Sequence, residues 1–83
     1  MKLISEEVLL STIEEALELN KGEISIDSSM ENTDSWDSLG AIQILSALDI
    51  LTEGKSSENI DFSEAGSCKE ILDALKKLGL IED

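Results

Sequence analysis

The chain has 83 residues, 41% of them hydrophobic, which is enough for one small domain (residues 1–83) with a modest core. Nineteen Asp and Glu stand against six Lys, Arg is absent, and the net charge is −13. Nucleic acid and anionic membrane surfaces are therefore excluded as partners, because phosphate contacts need Lys and Arg. The acidic surplus fits either a basic partner protein or a device for solubility.

Trp36 and Phe62 are the only aromatic residues and proline is absent, so the core must come from Leu, Ile, Val and Ala, which favours packed helices. The opening stretch Met1-Lys2-Leu3-Ile4-Ser5-Glu6-Glu7 turns acidic too soon for a signal peptide. No apolar run is long enough to span a bilayer, and the expected setting is the cytoplasm, without membrane insertion.

The spacing predicts a first helix from Ser5 to Asn20, with Ser5 as N-cap and Glu6 and Glu7 in the first turn. Its buried stripe is Leu9 or Leu10, Ile13, Ala16, Leu17 and Asn20, and Glu14, Glu15 and Glu18 form the wet face. Asn20-Lys21-Gly22 is the stop signal, with Gly22 as the left-handed cap. A long loop follows from Gly22 to Trp36, in which Ile24, Ile26 and Met30 are spaced to touch the core.

A second helix opens at Asp37 or Ser38, with Asp37 as N-cap, and runs to Leu51. Ala41, Ile44, Leu45 and Leu48 form one stripe, while Leu39, Ile42 and Ile50 lie off it. Such a helix is either buried on two sides or carries a binding face. After a polar turn, a short helical piece is expected at Asp61 to Ala65. The closing helix begins with a capping box, Ser67-Cys68-Lys69-Glu70, and buries Cys68, Ile71, Leu72, Leu75 and Leu78. Lys76 and Lys77 occupy its last turn and Gly79 ends it. The sum is an all-α fold, a small four-helix bundle of three longer helices and one short one, with a long loop between helices one and two.

Little in the chain suggests catalysis. Histidine is absent, and Ser38 has no obvious base partner. The loop Asp27-Ser28-Ser29-Met30-Glu31 is too short of ligands for calcium. Cys68 stands alone, so no internal disulfide and no zinc spacing exist; on the closing stripe it reads as a small core residue. No metal and no enzymatic activity are expected. The informative tetrad is Trp36-Asp37-Ser38-Leu39, which ends a polar stretch and opens an apolar helix. It places the Ser38 hydroxyl on the surface at a helix start, where unpaired N–H groups and a partial positive charge suit a phosphate. Taken alone, Ser38 would read as an ordinary helix-start serine.

The long loop, Asp37-Ser38-Leu39 opening an apolar helix, a short third helix and a closing amphipathic helix resemble the acyl carrier proteins of the phosphopantetheine-binding family, over nearly the whole chain. Trp36 before the motif is similar to stand-alone carriers of specialised pathways, including D-alanyl carrier-like proteins. The resemblance implies that Ser38 is the attachment point of 4′-phosphopantetheine, transferred from coenzyme A by a phosphopantetheinyl transferase. It implies that Asp37 aids that enzyme and caps the helix, and that Leu39 and Ile42 contact partners. Ala41, Ile44, Leu45, Leu48, Ile71 and Leu75 would line the core. The implied partners are an acyl- or aminoacyl-loading enzyme and downstream transferases, served by a monomer.

Fatty-acid carriers have a strongly acidic second helix, whereas Gly40, Gln43 and Ile50 stand here, with Asp49 and Glu53 the acids that remain. Gly40 adds a helix-propensity cost of roughly 1 kcal/mol. These departures favour a dedicated partner met by the apolar face of Leu39, Ile42, Gln43 and Ser46. The rival reading is a carrier-like interaction module that docks partners without an arm.

Overall fold

The computed structural model describes residues 3–54, 60 and 65–81. Among them the chain is all-helical, with α1 at Glu6–Ala16, α2 at Ser38–Leu51 and α3 at Cys68–Lys77. The short helix expected at Asp61 to Ala65 falls almost wholly outside the described residues. No helix among the described residues is long and apolar enough to cross a membrane.

Each helix starts as its sequence dictates. The Ser5 hydroxyl accepts from the Val8 N–H at 3.2 Å, Asp37 Oδ1 from the Gly40 N–H at 2.9 Å, and the Ser67 hydroxyl from the Glu70 N–H at 3.1 Å. Each side chain thus satisfies one donor that the helix cannot.

The helix ends are less legible. α3 stops as expected: Gly79 turns to φ +71°, its N–H bonds the Lys76 carbonyl, and the Leu80 N–H reaches back to Leu75. α1 stops at Ala16, one turn before the Asn20-Lys21-Gly22 signal, through the same closure built on Glu18. Glu18 has φ 58°, its N–H bonds the Glu15 carbonyl, and the Leu19 N–H bonds Glu14. Leu19 packs against the core, and that contact offsets the strain of a non-glycine residue in the left-handed region. Asn20 is consequently exposed and outside the helix, and Gly22, at φ +93°, serves a later turn.

The core joins one stripe from each helix. Leu9, Ile13 and Leu17 meet Ala41, Ile44 and Leu48, and Ile71, Leu72, Ala74 and Leu75 close over them. Leu10, Ala16, Leu45 and Leu78 are partly buried at its edge. α1 packs chiefly on α2 and more lightly on α3. Ile4 bridges Ile81 in parallel, its N–H donating to the Leu80 carbonyl at 2.8 Å, and so buries Leu80 and Ile81.

Two expectations about the loop side need correcting. Met30 was spaced to touch the core but is exposed. Its backbone is what is used: the N–H donates to the Gly66 carbonyl at 2.9 Å, which turns the side chain outward. Glu14, expected on the wet face, is only 6% exposed. The chain folds back over α1 after Leu19 and brings the Gly22 and Ile24 N–H groups onto Glu14 Oε2, at 2.8 and 3.1 Å. A charge-assisted pair of bonds of this kind compensates burial of the carboxylate.

Between α1 and α2 the crossover is a chain of turns stitched by short polar side chains. Ser28 Oγ accepts from the Ser25 N–H, Asn32 Oδ1 from the Ser29 N–H, and the Trp36 N–H donates to the Thr33 carbonyl. Ile24 is buried and Ile26 partly so, which pins the crossover to the body of the protein.

Gly40 has a packing reason. A Cβ there would stand 2.6 Å from the Ser35 carbonyl oxygen and 2.8 Å from Leu17 Cδ2. The backbone of the crossover cannot yield cheaply, so Gly40→Ala should destabilise by about 1–3 kcal/mol despite the better helix propensity of alanine. A urea midpoint at or above that of the parent would refute this.

Candidate functional site

The corner where the crossover enters α2 is held from three directions. Trp36 is 1% exposed, and its indole Nε1–H donates to the Ala65 carbonyl at 2.9 Å. The Cys68 N–H donates to the Ser28 carbonyl at 3.0 Å, and the Met30–Gly66 bond lies beside it. Residues 28–36 are thereby clasped to residues 65–68, at the threshold of α3. On the other side, Gly40 lets the first turn of α2 sit directly on Ser35 and Leu17.

Ser38 is the first residue of α2 and is exposed. Its hydroxyl makes no hydrogen bond to any described residue, and the neighbouring Asp37 carboxylate is engaged with the Gly40 N–H. Among the described residues no side chain accepts from the Ser38 hydroxyl, which is presented to solvent. The helix start supplies partial positive charge and N–H groups that have no acceptor within the helix. These features suit an esterified phosphate better than a nucleophile.

Leu39, Ile42, Gln43 and Ser46 follow one another at helical spacing beside Ser38, and all four are exposed. Leu39 is 63% exposed and Ile42 51%. Ile50, at 82%, adds a third exposed apolar residue to this uncharged strip, one turn on. α2 is therefore buried on one side and bare on the other, and is not the helix buried on two sides that its composition also allowed.

Sequence reasoning missed the clasp. The signal was there in part: a lone tryptophan beside a surface motif needs a partner for its N–H when buried. Its acceptor lies 29 residues away and is a backbone carbonyl, which no side-chain pattern marks.

Among the described residues no group of three His, Cys, Asp or Glu side chains could hold a metal. Cys68 is fully buried at the first turn of α3, and burial pushes its thiol from an ordinary 9.0 up to about 11. The folded chain thus holds that proton more tightly than the unfolded chain. The associated stability is present below pH 9 and is lost as pH rises toward 11. Cys68→Ala should flatten this part of the alkaline stability profile, measured by urea unfolding at stepped pH; an unchanged slope would count against it.

Comparison with protein-family models, with curated proteins and with solved structures finds no match for the chain.

Proposed function

We propose that the chain is a non-catalytic carrier that holds acyl or aminoacyl groups as thioesters on a 4′-phosphopantetheine arm esterified to Ser38. The observation that carries the reading is the Ser38 hydroxyl itself, exposed and unbonded among the described residues, on the first turn of a helix beside a bare apolar strip. The arm would supply a flexible thiol. The chain's own residues would present the serine, leave the arm in water and offer Leu39, Ile42, Gln43 and Ser46 to visiting enzymes. Asp37 would fix the helix start and face the phosphopantetheinyl transferase. The reading includes a short helix at Asp61 to Ala65, completing a four-helix bundle, a monomeric state and a cytoplasmic setting. Its partners are the transferase, a loading enzyme and downstream transferases of a specialised pathway.

The test is co-expression with a broad-specificity phosphopantetheinyl transferase followed by intact mass measurement. Gain of the arm's mass supports the carrier; an unmodified chain favours the rival reading, an interaction module that docks without an arm.

Docking at this strip should rest on apolar contact, because Asp49 is the one acid within α2. Ile42→Ala should weaken affinity for the transferase by about tenfold, the value of a few buried methyl(ene) groups. Asp49→Asn should matter less. A larger effect from Asp49→Asn, with steep loss of affinity in salt, would restore a charge-led docking mode.

A further inference from the structure

Charge is shared unevenly between the helices. α2 has Asp49 alone, whereas α1 carries Glu6, Glu7, Glu14 and Glu15 and no Lys. Between α1 and the turn that follows it lies an open groove of about 530 Å³. Val8, Leu10 and Ile24 form its apolar walls, and Glu7 and Glu15 stand exposed along it. Lys21 brings one ammonium to the same groove and makes no ion pair among the described residues.

Glu14 also lines the groove, with a side chain more than nine-tenths buried. Its Oε2 takes the Gly22 and Ile24 N–H groups, and no described residue donates to its Oε1. No buried side-chain oxygen among the described residues is left without a partner, so Oε1 keeps contact with solvent, at a residue that lines the groove. A half-used carboxylate, set in an apolar cleft and backed by two further carboxylates, points to a cationic occupant with a hydrophobic stem.

We propose that this groove receives an arginine-bearing amphipathic segment of a partner protein. A guanidinium has donors enough to reach Glu14 Oε1 and an exposed neighbour such as Glu15 at once. Its aliphatic stem covers Val8 and Leu10 while the charge stays at the mouth. Lysine suits the site less well, being a compact and strongly hydrated charge. Three carboxylates against Lys21 leave the groove negative, and the net charge of −13 steers a basic segment toward the chain. The site is independent of Ser38 and of any arm.

The test uses the full chain, labelled with ¹⁵N and titrated with a synthetic amphipathic peptide that has arginines on one face and leucines on the other. A second peptide carries citrulline, the neutral isostere, in place of arginine. Saturable shifts are expected at the Glu15, Gly22 and Ile24 amides, with affinity falling about tenfold for the citrulline peptide, the value of a charge-assisted hydrogen bond. Glu14→Gln keeps an oxygen for the two backbone donors and turns the free acceptor into a donor, so it should show a similar loss. If that variant does not fold, Glu15→Gln carries the test with a loss of about threefold. Lys21→Ala should tighten binding. Equal affinity for the two peptides, shifts centred on Leu39 and Ile42, or no saturable shift would each overturn the proposal.

Discussion

Ser38→Ala should abolish gain of the phosphopantetheine mass and leave the fold within about 1 kcal/mol of the parent. The two outcomes follow from different parts of the corner. The hydroxyl is the only attachment atom that the motif Asp37-Ser38-Leu39 supplies, since its neighbours there are a carboxylate and a leucine. The helix start does not depend on it, because Asp37 is the cap and its carboxylate accepts the hydrogen bond of the Gly40 N–H. Intact mass after co-expression with the transferase reads the first outcome and urea unfolding the second. An alanine variant that still gained the arm would move the attachment elsewhere. One that lost several kcal/mol would make the loading result a folding artefact.

Leu75→Ala should cost roughly 2–5 kcal/mol, as for other buried leucines truncated in a packed interior. Leu39→Ala should cost only a small fraction of that. Leu75 is fully buried in the last turn of α3, and its carbonyl also receives the Leu80 N–H that closes the helix. Leu39 is 63% exposed at the start of α2 and has little to lose on truncation. The contrast separates residues that hold the fold from residues the fold displays. Comparable shifts in urea midpoint for the two variants would contradict that division.

The caps of all three helices were legible because Ser5, Asp37 and Ser67 are short acceptors standing just before apolar periodicity. The buried stripes were legible for the same periodic reason. What escaped notice was set by long-range packing. The end of α1 is fixed by Leu19 seeking the core, so a glutamate, a poor residue for the left-handed region, stands where glycine would be expected. Glu14 looked like surface because, beside Glu15 and one turn before Glu18, it reads as part of a solvated acidic face. It is covered by a crossover whose path depends on Ile24 and Trp36 being buried. Gly40 looked like a flaw in a helix and is a point of close backbone approach. In the site itself, the exposure of Ser38, Leu39 and Ile42 followed from the pattern of α2, while the clasp that holds them in place did not.

Trp36 is the only tryptophan and tyrosine is absent, so nearly all near-ultraviolet absorption and emission come from one indole. That indole sits where the crossover meets the threshold of α3, fully enclosed and bonded to Ala65. Its emission is thus a single-site optical readout of the clasp, whereas far-ultraviolet dichroism averages over the helices. In a two-state transition the two signals must coincide. An emission change that precedes loss of helical signal would mark a species in which the helices persist while the corner bearing Ser38 has come loose, visible without any label.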